Sequence, residues 1–217
     1  MFFYKFISQK LINIIAPIEC LICGFGDQWC CSNCQNKLTS PLPLIINNYS
    51  QNIAKVICAY NYQNILVQKL IHACKYDGIK EAIIVLANQL SLILVSQLDS
   101  QKSYLLLPVP LHPKRQRQRG FNQSQIIAEI IAHNLNLNIV NGQRIINTPH
   151  QVGLNGQQRQ LNMKNVFAFN YELTNIKKQA TIIIVDDVIT TGATINSLAE
   201  NLKKNRDQIM AVAIAKE

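Results

Sequence analysis

The segment that most limits the fold is Thr181-Ile182-Ile183-Ile184-Val185. Asp186-Asp187 follow at once, and Thr190-Thr191-Gly192-Ala193-Thr194 comes shortly after. A run apolar on both faces reads as a strand in the middle of a covered parallel sheet. Helical spacing from Thr194 to Asn205 and a second apolar strand at Ile209 to Ala215 follow. The C-terminal part is therefore strand, helix, strand.

The same alternation extends upstream. Ile53 to Tyr62 reads as a strand or hairpin arm, and Ile65 to Ala73 carries helical periodicity that stops at Tyr76-Asp77-Gly78. A helix is expected over Lys80 to Leu98 and a short strand at Tyr104 to Leu107, ended by Pro108-Val109-Pro110. A basic loop leads into an amphipathic helix, Asn122 to Asn134. Leu137 to Val140 and Gln143 to Ile146 read as one strand turning at Asn141-Gly142, before a polar stretch from Thr148 to Asn165. Strands alternating with helices predict an open α/β sheet, whose ligands bind at the carboxyl ends of the strands.

With 48% hydrophobic and 15% charged residues the chain has a core-forming composition, which excludes disorder. Its 217 residues suffice for one good-sized domain and a small appendage, expected at 45–217 and 1–44. The net charge of +9 favours anionic partners, and Lys114, Arg115, Arg117 and Arg119 concentrate part of it. Polar residues interrupt both Met1 to Ala16 and Ala82 to Leu98, so neither reads as a signal peptide or a membrane span. The first reads as a short docking helix. Seven cysteines, an odd number, fit reduced thiols better than a disulfide framework, so a cytoplasmic protein is expected.

Four of those cysteines form two C-x-x-C pairs, Cys20 with Cys23 and Cys31 with Cys34. Gly24 and Gly26 permit the tight turn that lets four thiolates converge on one structural Zn²⁺. Such a small unit needs the metal for its folding energy. Cys30 adjoins Cys31 and can replace it as a ligand, although the pairing favours Cys31. Cys58 and Cys74 sit in apolar segments and read as core.

At the end of the Thr181 strand, a helix start supplies N–H donors and the positive end of a dipole. Gly192 allows close approach of an anion. Two neighbouring carboxylates would repel that anion, unless they accept hydrogen bonds from vicinal sugar hydroxyls or approach Mg²⁺. A sugar phosphate fits this pattern better than free phosphate.

These residues resemble the phosphoribosyl pyrophosphate (PRPP) motif of type I phosphoribosyltransferases. The resemblance to the ComF family runs further, through Lys75-Tyr76-Asp77-Gly78, Pro108-Val109-Pro110-Leu111-His112 and Arg119-Gly120-Phe121-Asn122-Gln123-Ser124. It continues through Thr148-Pro149, Gln151, Arg159 and Asn162, and includes the cysteine pairs. It implies an open parallel-sheet phosphoribosyltransferase fold with a small N-terminal zinc-knuckle module. By that resemblance Asp186 and Asp187 bind the ribose hydroxyls of PRPP, and Thr190, Thr191, Gly192, Ala193 and Thr194 bind its 5′-phosphate. The loop His112 to Phe121, with Gly120, faces the pyrophosphate, and Thr148 to Asn165 forms a hood over the site.

Arg119 and, on the hood, Arg159 are the residues expected to stabilise the departing Mg²⁺-bound pyrophosphate. No residue stands out as a general base, since His112 and His150 are lone loop histidines. The implied activity is transfer of ribose 5-phosphate to an unidentified acceptor, or a role in natural competence. The alternative is a non-catalytic DNA-uptake accessory in which Lys114, Arg115 and Arg117 contact single-stranded DNA beside other uptake proteins. PRPP is then a regulatory or vestigial ligand.

Overall fold

The computed structural model describes residues 18–38, 43–144, 167–169, 180–202 and 206–217. The expected N-terminal docking helix and the whole of the expected hood, Thr148 to Asn165 with Arg159, lie outside them. The chain divides into two compact units, Met1–Ser40 and Pro41–Glu217. Among the described residues no helix is long and apolar enough to cross a membrane.

In the first unit the described secondary structure is α1 (Ser32–Leu38), which starts directly after Cys31 and buries Cys34 and Leu38. Gly24 and Gly26 adopt φ of 76° and 92°, left-handed values that ease the reversal between the cysteine pairs.

The second unit is an α/β fold around a six-stranded sheet, ordered β1-β2-β8-β7-β3-β4. Its strands are β1 (Leu44–Asn47), β2 (Lys55–Asn61), β3 (Tyr104–Pro108), β4 (Asn138–Ile139), β7 (Thr181–Ile189) and β8 (Ile209–Lys216). Only β1 runs antiparallel, paired with β2 as a hairpin. The helices are α2 (Ile65–Tyr76), α3 (Glu81–Val95), α4 (Pro113–Arg119), α5 (Gln123–Leu135) and α6 (Ala193–Asn201). A separate two-stranded ribbon pairs β5 (Gly142–Arg144) with β6 (Phe167–Phe169).

Two expectations need correction. The basic stretch after β3 is a helix, α4, rather than a loop. Pro113 opens it, the His112 ring accepts from the Lys114 N–H at 3.2 Å, and Gly120 ends it at φ 79°. Residues 137–146 are not one strand. β4 extends the main sheet beside β3, whereas β5 leaves it to pair with β6. The hairpin arm β1 was not anticipated.

β7 occupies the middle of the sheet as its sequence predicts, with Thr181 through Val185 all buried. Its Ile182 and Ile184 face a core shared with Ile195 and Leu198 of α6. Helix α5 packs against β3 and β7, and α3 packs against α5, β2 and β8. Fully burying each Ile or Leu in this core contributes roughly 1.5–3 kcal/mol.

The chain leaves the neighbouring parallel strands β3 and β7 in opposite directions. From β3 it crosses through α5 to β4 at the edge, and from β7 it crosses through α6 to β8. Divergent crossovers open a crevice at the carboxyl ends of those strands, the place where open α/β sheets bind ligands.

Candidate functional site

Both walls of this crevice come from short, well-anchored segments. On the β3 side, the backbone continues past Pro108 with Val109 N–H donating to the Val185 carbonyl at 2.9 Å. Asn122 then fixes the start of α5 twice. Its Oδ1 accepts from the Ser124 N–H at 3.1 Å, and its Nδ2 donates to the Val109 carbonyl at 3.0 Å. An N-cap that also grips the end of β3 sets where α5 begins.

That placement delivers Ser124 to the acid pair. Its hydroxyl donates to Asp186 Oδ1 at 3.0 Å, and the Asp187 N–H donates to the same oxygen at 2.9 Å. Asp187 Oδ2 lies 2.8 Å from Lys75 Nζ, in the last turn of α2. The two carboxylates are thus held from two different elements. Burial first, and the neighbouring Asp187 charge second, push the Asp186 carboxyl up to about 7, against the Asp187 N–H bond, the Lys75 charge and the Ser124 hydroxyl bond. For Lys75, burial opposes the charge, but Asp187 and then Asp186 outweigh it and hold the ammonium above its ordinary value.

Beyond the acids, Thr190 and Thr191 are exposed and Gly192 is buried. Lys216 Nζ donates to the Thr190 carbonyl at 2.8 Å. Gly192 adopts φ 76° and begins α6 without a capping side chain. A second constraint acts there, because an added Cβ would lie 1.9 Å from the Tyr49 hydroxyl and that side chain would have to move. The Gly192 carbonyl accepts from both the backbone N–H and the Nδ2 of Asn196, at 3.0 and 3.1 Å. Asn196 in turn accepts from the Ser50 hydroxyl at 2.6 Å.

Arg119 ends α4, and its Nη1 donates to Gln123 Oε1 at 3.2 Å. Its charge also acts on Lys75, so it shares the neighbourhood of the acids. Gln123 is 2% exposed, and its Nε2 has no hydrogen-bond partner among the described residues. A buried amide donor beside a guanidinium suits an anionic oxygen. Lys114 and Arg117 stand exposed on α4, and Arg115 is half-buried. Phe121, the sole aromatic of the basic segment, lies 5.0 Å beneath the Lys80 ammonium, which covers one ring face. A cleft of about 710 Å³ opens beside α4, lined by Pro110 to Pro113, Gln116, Asn122, Gln125 and the Asn141 to Gln143 turn.

Sequence reasoning therefore named the acids, the threonine-glycine loop, Arg119 and Gly120. It missed the contacts of Tyr49, Ser50, Asn196 and Lys216, which carry no motif of their own, and that of Ser124, whose motif gave no hint of its bond to Asp186. Lys75 was visible in Lys75-Tyr76-Asp77-Gly78, one of the segments that carry the family resemblance. Its ion pair with Asp187 ties it to the acid pair.

In the first unit, the sulfurs of Cys20, Cys23, Cys31 and Cys34 all lie within 4.8 Å of one another, a set that can hold a metal ion. Cys31, rather than Cys30, completes it. Cys30 is buried, and burial with the surrounding thiolate charges pushes its thiol up to about 11. Burial opposes ionisation of Cys20, but N–H groups led by that of Cys31 outweigh it and bring the thiol down to about 6. All seven cysteines are free thiols.

Residues 78–216 match the family described as phosphoribosyl transferase domain. The chain is 27% identical over 192 residues to Competence protein F of Haemophilus influenzae, covering 85% of this chain and 78% of that protein. It is 33% identical to DNA utilization protein YhgH of Salmonella typhimurium over 63% of this chain and 60% of the relative. To Competence protein ComFC of Bacillus subtilis it is 27% identical, over 66% and 55%. The match thus spans less than two thirds of the latter two proteins. With the acid pair and glycine loop at the crevice between β3 and β7, this chain belongs to the phosphoribosyl transferase domain family, as a ComF-type member.

Proposed function

We propose that the crevice binds PRPP and that the protein transfers its ribose 5-phosphate group to an acceptor nucleophile. The observation that carries this reading is the sequence of Asp186, Asp187 and the Gly192 turn at one strand–helix junction, at the switch point of the sheet. Asp186 and Asp187 would accept hydrogen bonds from the 2′- and 3′-hydroxyls. Thr190, Thr191, Gly192, Ala193 and Thr194 would receive the 5′-phosphate at the start of α6. The pyrophosphate would then lie toward Arg119 and Gly120, beside Gln123 Nε2, which has no partner among the described residues.

In this chemistry the C1–O bond to pyrophosphate breaks and a bond from C1 to the acceptor forms, while the ribose passes through a cationic state. Negative charge grows on the leaving oxygens, where the Arg119 guanidinium opposes it, joined by Arg159 from the hood. Mg²⁺ bound with PRPP would supply further neutralisation of the pyrophosphate. The carboxylates near the ribose favour its developing positive charge and fix its orientation. In the first unit, Cys20, Cys23, Cys31 and Cys34 would hold Zn²⁺ as a structural ion, which four thiolates suit.

Calorimetric titration of the full chain with PRPP and Mg²⁺ tests the reading. Saturable heat at one site per chain is expected, and abolished binding in D187N would tie it to the acids. A flat titration of the unaltered protein would remove the proposal. Release of pyrophosphate with a panel of nitrogenous acceptors then separates turnover from binding alone.

A second reading rests on the exposed Lys114 and Arg117 of α4 and on relatives named for competence and DNA utilization. In it the protein is a cytoplasmic accessory of DNA uptake, working beside other uptake proteins. Helix α4, with Arg115, contacts single-stranded DNA, and PRPP serves as a regulatory ligand. A salt series of single-stranded DNA binding with and without K114Q/R117Q is the test; an unchanged slope would remove α4 from the interface.

A further inference from the structure

The turn between β1 and β2 reaches the phosphate loop from outside the matched domain. Tyr49 and Ser50 lie upstream of residue 78, where the family match begins. Ser50 is held on every side. Its hydroxyl accepts from the N–H groups of Asn52 and Ile53, at 3.3 and 3.2 Å, and donates to Asn196 at 2.6 Å. Asn196 grips the Gly192 carbonyl with its own N–H and its Nδ2. The β1–β2 turn and the phosphate loop are therefore fastened together by a chain of three hydrogen-bonded residues.

Tyr49 is the neighbour of this anchored serine. Its ring is half-buried against the core that includes Ile195 and Leu198 of α6. Its hydroxyl comes so close to Gly192 that a Cβ there would sit 1.9 Å away. Yet no hydrogen bond to that hydroxyl is found among the described residues. Burial raises the phenol above its ordinary value, so it keeps its proton at neutral pH and can donate. A half-buried donor set against a loop of exposed threonines, at the start of a helix, is placed to donate to an anionic oxygen bound there.

We propose that Tyr49 is a further ligand-binding residue, whose hydroxyl donates to the phosphomonoester held at Thr190 to Thr194, with Ser50 as its positioning residue. This rests on the PRPP reading above. It adds a donor from the β1–β2 turn, upstream of the residues 78–216 that match the family.

The test is Y49F, which removes one oxygen and keeps the ring that packs on the core. The full chain and Y49F are titrated calorimetrically with PRPP and Mg²⁺, and separately with ribose 5-phosphate, which carries the same phosphomonoester without pyrophosphate. Loss of a hydrogen bond to a charged group predicts at least about tenfold weaker binding of both ligands. Unchanged or tighter binding of either ligand by Y49F, with the unaltered protein still binding, would show that the ring only fills space and overturn the proposal. If the unaltered protein binds neither ligand, the PRPP reading itself falls and takes this one with it.

Discussion

The Cys20–Cys34 cluster and the crevice at the ends of β3 and β7 are built in opposite ways. The first draws its four sulfurs from 15 consecutive residues, with two glycines and the start of a short helix to converge them. The second collects Tyr49, Lys75, Arg119, Ser124, Asp187 and Gly192 from six separate segments, and it depends on the whole sheet being in register. Local sequence can encode the first completely. The second exists only after non-local packing, so its parts are held by capping, ion pairing and hydrogen bonding rather than by spacing.

The contrast predicts different failures. Removing the metal, by chelation or by C34S, should unfold the first unit, because a Zn²⁺–thiolate centre supplies on the order of 10 kcal/mol to such a small module. Metal content by mass spectrometry and proteolysis of the N-terminal region would show the loss, while the thermal transition of the second unit should persist. One cooperative collapse of both units would break the comparison.

In the crevice the largest effect should come from D187N, which leaves the mostly buried Lys75 ammonium without its partner. Breaking such a pair costs about 3 kcal/mol. Chemical denaturation should show that K75M/D187N recovers most of this loss, and that neither variant binds PRPP. A double variant as unstable as the single one would mean that the pair matters through packing alone.

A smaller effect concerns pH. Asp186, raised to about 7, holds its proton more firmly in the folded chain than in the unfolded one. Its contribution to stability is therefore complete below the ordinary value of 3.8 and is lost as pH rises toward 7. Ribose binding to the carboxylate gains over the same window and levels off above it. Affinity for PRPP should thus be roughly tenfold lower at pH 6 than at pH 8, and D186N should flatten the profile. A profile unaffected by D186N would assign the dependence to the ligand's own phosphate.

What was readable in the chain follows the same division. The apolar run Thr181 to Val185 announced a central strand because burial on both faces leaves no other composition. The C-x-x-C pairs announced their own convergence. Pro113 and Gly120 carried the start and stop of α4, yet four cations in seven residues masked a helix as a solvated loop. The edge elements were harder. β1 has only four residues with half-exposed sides, and β4 only two, so neither has the length to show a period. The approach of Tyr49 to Gly192 was illegible in principle, because a distance between residues 143 apart is encoded by no local pattern.

β3 and β7 are hydrogen-bonded neighbours, so the roots of the two ligand-facing walls are locked about 4.8 Å apart. On the PRPP reading that spacing would act as a ruler for the donor molecule, since neither wall can slide without tearing the central ladder. Drift toward a new chemical role would therefore leave the ruler intact and rewrite the segments hung from its ends. A lineage could change what it modifies, or cease modifying anything, while continuing to hold the same activated sugar.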